Sequence, residues 1–391
     1  MINQESWLLP EGIDELMPTE AVQLEKLHRL LVDRMQSWGY QLVVPPLVEY
    51  LDSLLTGTAK TLDLQTFKLI DQLSGRLLGI RADMTPQVAR IAAHRLRSDE
   101  AILRLCYIGS VLHTLPDGQT NSRNPIQLGA EIYGHAGAES DMESMQLMIE
   151  LLRISGLQGP LLLDIGHVGI YRGLADAAGL TAQQEEALFT ALQRKALPEI
   201  EALLKEFNLA QADQQMLLAL SELNGDADIL DKATEVLALA PESVQSALRS
   251  LRELSVLLSD RLPEMAVNFD LAELRGYHYH TGVVFAAYQP GSSQAVALGG
   301  RYDDIGEDFG HAQPATGFTL DLKKLVSCFP AATASPEKIG VVWCNEPEQQ
   351  HAVDALREAG KVVVYQLSGA ETACNQQLIK IENRWQVVET G

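Results

Sequence analysis

Cysteine is scarce in this sequence. Its 391 residues include only four cysteines, and they lie far apart: Cys106, Cys328, Cys344 and Cys374. No pair has the Cys-x-x-Cys spacing that is typical of zinc and redox sites, and a secreted disulfide framework would need a denser pattern. We therefore expect reduced thiols and no cysteine-based metal centre.

Long apolar runs are absent as well. No stretch approaches the ~18 consecutive apolar residues that a membrane helix needs, which predicts a protein without a membrane span. The first residues, MINQESWLLPEG, have neither the basic segment nor the apolar segment of a secretory signal. Together with 46% hydrophobic and 21% charged residues, these features predict a cytoplasmic globular protein of about two to three domains.

Positive charge is in short supply. Lys and Arg number 30 against 52 Asp and Glu, which gives a net charge of −22. The average field of such a chain repels polyanions, and this disfavours nucleic acid as a partner. A local basic face could still bind tRNA, so the charge balance alone leaves an enzyme of tRNA open.

The apolar residues follow patterns that divide the chain into three parts. An N-terminal part of mixed helices and strands precedes residues 171–262, where the pattern is helical throughout and indicates a helical insertion with a small bundle core. Strands return after it, including one predicted over 277–288. Residues 331–337, AATASPE, have the composition of a linker, and 338–391 alternate strand and helix as in a small α/β domain.

Residues 104–134 predict two antiparallel strands joined by a long polar loop, an arrangement that can hold a small polar ligand. In the second strand, 126–133, Gln127 and Glu131 lie four residues apart, and the two-residue period of a strand places them on one face. A carboxylate on an apolar strand needs a partner, for which a bound ammonium group is a good candidate. The alternative is a purely structural hydrogen-bond network around the same residues.

Seven sequence blocks occur in the order in which one known family has them. They are LLPEGIDELMP, YQLVVPPLVEY, IRADMT, QLGAEIYG, LRGYHYHTGVVF, LGGRYDDIG and ATGFTLDL. On these blocks the chain resembles the histidyl-tRNA synthetases, which are class II aminoacyl-tRNA synthetases, across nearly its first 330 residues. The resemblance implies an α+β fold whose antiparallel sheet is flanked by helices. It implies a core over 1–330 that contains the helical insertion, a shortened anticodon-binding-like α/β domain at 338–391, and a dimer formed through the core.

A site for free histidine needs acceptors for the ammonium group, a cation for the carboxylate, and aromatic or polar groups for the imidazole. The resemblance implies that such a pocket is kept. Asp83 stands where the family has the glutamate that binds the amino group. His280 stands where a family tyrosine contacts the imidazole, which leaves the imidazole contacts open. The residues that the resemblance assigns to the histidine pocket are Asp83, Thr85, Gln127, Glu131, Arg275, Tyr279 and Tyr302.

The same resemblance indicates a degenerate nucleotide site. Activation of an amino acid by ATP needs cations around the phosphates. His113 occupies the position of one family arginine, Lys324 replaces another and lacks its planar fork, and Asp321 adds a carboxylate where the family has glycine. We therefore expect no adenylation, no catalytic residues, and no cofactor or bound metal. The C-terminal domain has more acidic than basic residues, so no tRNA is expected to bind.

A synthetase-like chain that keeps an amino-acid pocket without the determinants for ATP and tRNA resembles a second family, the regulatory subunits of short-form ATP phosphoribosyltransferase. That resemblance implies a non-catalytic chain that assembles with a short catalytic subunit as a hetero-octamer, at the first step of L-histidine biosynthesis. It implies that the chain activates the catalytic subunit and binds histidine for feedback inhibition. The alternatives are an active histidyl-tRNA synthetase with unusual motifs and a synthetase-like regulator of another process.

Overall fold

The computed structural model divides into two compact units, Met1–Pro330 and Ala331–Gly391. The structure describes residues 7–56, 60–96, 102–116, 122–277, 279–307, 309–310, 312–330, 337–367 and 372–389. Almost all of the predicted linker, 331–337, lies outside the described residues, and so does half of the predicted polar loop, at 117–121.

The first unit is built on one large and one small sheet. Its strands are β1 (Gln41–Leu42), β2 (Val48–Tyr50), β3 (Phe67–Ile70), β4 (Leu77–Ile80), β5 (Leu103–Ser110), β6 (Ile126–Tyr133), β7 (Leu162–His167), β8 (Asn224–Gly225), β9 (Ala266–Asp270), β10 (Val283–Tyr288), β11 (Ala295–Arg301) and β12 (Ala315–Asp321). Nine of these described strands form the large sheet, in the order β1-β5-β6-β12-β11-β10-β7-β9-β8. From β5 to β7 in that order, all neighbours are antiparallel. The small sheet has the order β2-β4-β3.

Helices pack around both sheets of the first unit. They are α1 (Pro18–Ser37), α2 (Leu51–Leu54), α3 (Lys60–Gln65), α4 (Thr85–His94), α5 (Ala138–Ile154), α6 (Val168–Ala177), α7 (Ala182–Gln193), α8 (Leu197–Glu206), α9 (Gln211–Ala219), α10 (Ile229–Val236), α11 (Glu242–Arg261) and α12 (Leu322–Val326). α5 contacts β10, β11 and β12 as well as α1 and α11, which explains why it is buried around most of its surface. Within the described ranges, no helix combines the length and the apolar character needed to cross a membrane.

The helical insertion lies between β7 and β9. From Val168 to Arg261, where every residue is described, the chain forms α6–α11 and the short strand β8. Leu188, Leu217 and Leu251 from these helices are fully buried in the same apolar cluster as residues of the large sheet. The small bundle core that we expected for the insertion is therefore continuous with the core of the large sheet. Within the insertion, α11 packs directly against β7 of that sheet.

The strand predicted over 277–288 is only half correct. β10 begins at Val283, and the described residues 275–277 and 279–281 form a turn instead (the 275–281 turn). Gly276 has a φ of +64°, which a strand does not tolerate, and its carbonyl oxygen accepts the N–H groups of Tyr279 and His280 at 2.7 and 2.8 Å. The alternation of aromatic and polar residues in YHYHTG resembles a strand although the backbone bends.

The second unit is a small α/β domain with its own core. It contains β13 (Lys338–Val342), α13 (Pro347–Glu358), β14 (Val362–Gln366), β15 (Gln376–Ile381) and β16 (Arg384–Glu389). The described strands form one sheet in the order β14-β13-β15-β16. Its buried apolar residues come from the strands and from α13: Ile339, Val341, Val353, Val363 and Leu378.

Candidate histidine site and the adjoining cleft

A cavity of about 250 Å³ opens beside β6, β11 and β12 and is closed on one side by the 275–281 turn. Five of the seven residues predicted to bind histidine line it: Asp83, Thr85, Glu131, Tyr279 and Tyr302. The cavity is called the histidine cavity below, after the ligand that the sequence predicts for it.

Glu131 lies at the centre of β6 and is 1% exposed. The hydroxyl groups of two tyrosines donate hydrogen bonds to it, Tyr107 to Oε1 at 2.8 Å and Tyr302 to Oε2. Thr85 Oγ1 lies 2.8 Å from the Tyr107 hydroxyl and extends this network. Glu131 is thus a buried carboxyl whose position is fixed by neutral donors, with no cation in direct contact among the residues that the structure describes.

The space for this carboxyl depends on glycines in the neighbouring strands. Gly317 on β12 is the register partner of Glu131, and a Cβ atom at Gly317 would overlap Glu131 Oε2. Gly129, two residues before Glu131 on β6, leaves room for the ring of Tyr107 in the same way. The sequence QLGAEIYG therefore contains both Glu131 and Gly129, the small residue that lets Tyr107 on β5 reach Glu131.

Asp83 provides a second carboxylate. Its Oδ1 accepts hydrogen bonds from Gln127 Nε2 at 2.8 Å and from the Thr85 N–H at 2.9 Å. The side-chain oxygen of Gln127 in turn accepts the N–H of Met84 at 2.8 Å, which fixes the orientation of the amide. Asp83 lines both the histidine cavity and a larger adjoining cleft, so it lies where the two meet.

Aromatic side chains form another part of the cavity wall. The ring of Tyr279 stacks on that of Tyr302, with centroids 5.1 Å apart, and the ring of His280 meets Tyr279 edge-on at 5.3 Å. Tyr279 Oη and His280 Nδ1 are both buried, and neither has a hydrogen-bond partner among the described residues. Because buried polar atoms nearly always have partners, these two atoms indicate a site that a polar ligand completes.

Burial shifts the pKa values of Glu131 and His280 in the cavity. Loss of solvent raises the pKa of Glu131 to about 8, although the hydrogen bonds from Tyr302 and Tyr107 act in the opposite direction. Loss of solvent also lowers the pKa of His280 to about 4, so its ring is neutral at physiological pH. The cavity therefore offers a ligand the neutral ring of His280 and the carboxyl group of Glu131. A hydrogen-bond donor or a cation on the ligand would stabilise the charged form of Glu131.

This pKa predicts a pH dependence of stability. Glu131 binds its proton more tightly in the folded chain than in the unfolded chain, where the ordinary value is near 4.5. Its contribution to stability is therefore complete below that value and is lost as the pH rises through about 8. We expect wild type to lose more unfolding free energy than Glu131→Gln between about pH 6.0 and 8.5, as measured by urea denaturation without ligand. Equal losses in the two proteins would contradict the raised pKa.

The adjoining cleft has a volume of about 510 Å³ and contains the three residues of the predicted degenerate nucleotide site, His113, Asp321 and Lys324. Asp321 is the N-cap of α12 and accepts the N–H of Lys323 at 3.0 Å. His113 Nε2 lies 2.9 Å from the carbonyl oxygen of Ala82, which can only accept, so this nitrogen is the donor in the contact.

The cations near this cleft are few. Lys324 is the one Lys or Arg among the described lining residues, which also include the carboxylates of Asp83 and Asp321. Arg123 is held elsewhere, by the carbonyl oxygens of His113 and Glu11 at 3.0 Å each. A nucleotide with several negative charges therefore meets two carboxylates and one ammonium group, which is unfavourable for binding.

The remaining two predicted residues are placed differently. Gln127 lines the adjoining cleft and reaches the histidine cavity only through Asp83. Arg275 is absent from the described linings of both spaces. Its guanidinium lies 3.2 Å from Glu273 and 5.2 Å from the ring centroid of Tyr288. A carboxylate two residues away pairs with Arg275 in this conformation, and the assignment of Arg275 to the histidine pocket stays a prediction.

Tyr107 and His280 were not among the predicted ligands. Tyr107 contacts Glu131, and His280 lines the wall. Tyr107 could have been found from the strand pairing, because the residue opposite it on β6 is Gly129 and leaves its ring room to cross towards Glu131. His280 carried a sequence signal, since it stands at a family tyrosine position.

Comparison with known proteins agrees with this fold. The histidyl-tRNA synthetase family matches residues 12–325. A histidyl-tRNA synthetase structure from Nostoc, only 18% identical, has a TM-score of 0.76 over 96% of this chain and 91% of that one, which shows the fold alone. A Bacillus halodurans structure described as an ATP phosphoribosyltransferase regulatory subunit/histidyl-tRNA synthetase is 28% identical, with a TM-score of 0.81 and 94% of each chain covered. The fold is therefore that of the class II histidyl-tRNA synthetases, and the predicted fold class is confirmed.

Curated relatives narrow the class further. ATP phosphoribosyltransferase regulatory subunits from Alkalilimnicola ehrlichii and Thioalkalivibrio sulfidiphilus are 56% and 52% identical, over 95% and 100% of this chain and 94% and 100% of those proteins. Residues 336–388 match the family described as ATP phosphoribosyltransferase subunit HisZ C-terminal domain. The chain belongs to the family of ATP phosphoribosyltransferase regulatory subunits, as its second resemblance predicts.

Proposed function

We propose that this regulatory subunit of histidine biosynthesis binds L-histidine in the histidine cavity and passes that signal to a short-form catalytic subunit of ATP phosphoribosyltransferase. In this proposal the chain activates the catalytic subunit when the cavity is empty and inhibits it when histidine is bound. It assembles with that subunit as a hetero-octamer and with a second copy of itself through the core. The observation that carries the proposal is the buried Glu131 with its two tyrosine donors in a cavity of amino-acid size.

The two carboxyl groups suit the two donor groups of histidine. Glu131 lies at the buried end, where the wall is aromatic and His280 Nδ1 is without a partner among the described residues, and it would accept the imidazole N–H. Asp83 lies at the junction with the cleft and would bind the ammonium group. The carboxylate of the ligand would then face the cleft that contains Lys324. A ligand with donors at both ends fits this arrangement better than one with an apolar side chain.

The adjoining cleft supports a chain without an active site of its own. Adenylation needs a nucleotide beside the amino acid, and the cleft offers its phosphates the carboxyl group of Asp321 and an imidazole, His113, whose Nε2 is engaged by the Ala82 carbonyl. We propose that the chemistry lies on the catalytic subunit and that this chain uses neither tRNA nor a cofactor. The alternative of an active histidyl-tRNA synthetase requires a nucleotide site that these charges disfavour.

Calorimetric titration of the purified chain tests the ligand. We expect saturable binding of L-histidine at one site per chain, and much weaker binding of L-leucine, which lacks the second donor. No heat of histidine binding, either to the chain alone or to its complex with the catalytic subunit, would contradict the proposal.

A double variant tests the loss of the nucleotide site. His113→Arg supplies a fixed cation, and Asp321→Asn removes the carboxylate but keeps a good N-cap for α12. We expect at least about tenfold tighter binding of magnesium-free ATP by the double variant than by wild type, measured by fluorescence competition. Glu201→Lys, at an exposed position of α8, is the matched control because it also raises the charge by two units, and it should leave ATP binding within about twofold. Equal ATP binding by wild type and the double variant would contradict the assignment of these residues.

A further inference from the structure

The 275–281 turn has two sides with different surroundings. Gly276, Tyr279 and His280 line the histidine cavity. Tyr277 is 4% exposed, and its ring contacts Tyr171 on α6 and Phe189 on α7, with centroids 5.4 and 5.2 Å away. One short segment therefore joins the cavity to the helical insertion.

Arg172 on α6 closes this turn. The same terminal nitrogen of its guanidinium donates to the carbonyl oxygen of Tyr277 at 2.9 Å and to that of His280 at 3.2 Å. Its Cζ atom also lies 5.0 Å from the centre of the Tyr277 ring. Because the two carbonyl groups flank Tyr279, this single contact fixes the part of the backbone that presents both aromatic residues to the cavity.

The hydroxyl group of Tyr277 extends the connection to α7. It donates a hydrogen bond to the carboxylate of Glu185, in the first turn of that helix. The Tyr171 hydroxyl donates to the backbone carbonyl of the same Glu185 at 2.6 Å. The N-terminal end of α7 is thus tied to the 275–281 turn by a side-chain bond and by ring packing.

The cavity side of the turn has fewer restraints. Tyr279 Oη and His280 Nδ1 have no hydrogen-bond partner among the described residues.

We propose that Arg172 is the positioning residue of the histidine cavity, and that the contacts of Arg172 and Tyr277 make α6 and α7 respond when the cavity is occupied. This inference rests on the proposed binding of histidine.

The physical basis is the cost of ordering a binding site. A turn that is already held in the bound conformation loses less entropy when a ligand binds, and the ligand gains affinity accordingly. The converse also holds. A ligand that binds Tyr279 and His280 restrains the turn, and this makes local unfolding of the helices packed against the turn less frequent. Local opening of α7 should therefore become rarer when histidine is bound.

Three full-length variants test the role of Arg172. Arg172→Met keeps the length of the side chain and removes its donors, and we expect histidine affinity to fall at least about tenfold. Arg172→Lys keeps the charge and one donor group without the planar fork, and an intermediate affinity is expected. Arg249→Met is the matched control, because Arg249 is an exposed arginine of α11 that pairs with Glu242 at 2.6 Å. We expect this variant to keep its histidine affinity within about twofold of wild type. All titrations are done at a temperature where thermal unfolding shows each variant to be folded.

Tyr277→Phe gives a second measurement that does not depend on Arg172 variants being folded. It keeps the ring in its packing and removes only the bond to Glu185. In wild type, histidine should slow amide hydrogen exchange in residues 182–193, and in Tyr277→Phe this slowing should be at least halved while histidine still binds. A purely structural role would change exchange equally with and without histidine.

The outcomes separate this inference from the proposed function. Wild type that binds histidine, with a folded Arg172→Met that binds it within twofold, would overturn the positioning role. An unchanged exchange response of residues 182–193 in Tyr277→Phe would overturn the link to α7. Wild type that binds no histidine would contradict the proposed function itself, and this inference with it.

Discussion

Replacing Glu131 with glutamine is expected to lower the affinity for L-histidine at least about 100-fold at pH 8. Glu131 is the buried carboxyl of the cavity. The glutamine side chain has nearly the same shape, but it lacks the charge that would attract the imidazole N–H of the ligand. The tyrosine hydroxyls that now donate to both carboxylate oxygens would meet an amide NH₂ group on one side and would have to reorient. Calorimetry or competition with a labelled ligand gives the affinity, and a factor of 100 corresponds to ~2.7 kcal/mol.

The pH dependence of binding provides an internal control for this variant. The raised pKa of Glu131, about 8, means that in wild type the empty site gains charge as the pH rises from 7 to 8.5. Wild-type affinity should increase over this range, whereas the affinity of Glu131→Gln should stay flat. Glu199→Gln, at a surface carboxylate paired with Arg194, should behave as wild type. A Glu131→Gln chain that binds within fivefold of wild type would exclude Glu131 as a ligand.

Gly317→Ala is expected to have the largest effect on the fold around the site. An added Cβ would overlap Glu131 Oε2 and would approach the carbonyl oxygen of Ala130 to 2.5 Å, so either the carboxyl group or the strand pairing must shift. Overpacking of a buried site usually costs about 1–3 kcal/mol and occasionally more. We expect a destabilisation of about 2–4 kcal/mol in urea denaturation together with loss of histidine binding.

A double-mutant cycle identifies the cause of that loss. If the overlap with the carboxyl group dominates, Gly317→Ala should cost at least about 1 kcal/mol less in a Glu131→Ala background than in wild type. The same cost in both backgrounds would show that the strand pairing, and not the room for Glu131, requires the glycine.

The sequence predicted the carboxyl side of the cavity well, because that side lies in regular strands. The two-residue period placed Gln127 and Glu131 on one face of β6, and the structure brings both to Asp83 or to the cavity that Asp83 lines. The alternation of side chains between two faces is a local property of a strand, so one strand with an apolar face is enough to predict it. The class II fold followed from the order of seven short blocks, and the comparisons confirm it.

The aromatic side of the cavity could not be predicted in the same way. The segment YHYHTG has the residue types of a strand, and its actual turn accepts hydrogen bonds from Arg172, more than a hundred positions earlier in the chain. Arg275 was assigned to the histidine pocket, and in the structure its guanidinium pairs with Glu273. Both features arise from contacts that a family motif does not encode.

The proposed function separates binding from chemistry. Carboxyl groups and aromatic rings line the histidine cavity, and the adjoining cleft contains Asp321 with Lys324 as the one Lys or Arg among its described lining residues. In our account occupancy of the cavity has no chemical consequence within the chain. In our account its consequence is a change in the helices that pack on the 275–281 turn, which the catalytic subunit senses.

The most direct test is an assay of ATP phosphoribosyltransferase activity, using a short-form catalytic subunit with and without this chain across a titration of L-histidine. We predict that the wild-type chain raises the activity and that histidine then lowers it. The complex with Glu131→Gln should be active and should need at least about 100-fold more histidine for the same inhibition. Equal inhibition by histidine of complexes that contain the wild-type and the Glu131→Gln chain would contradict the account.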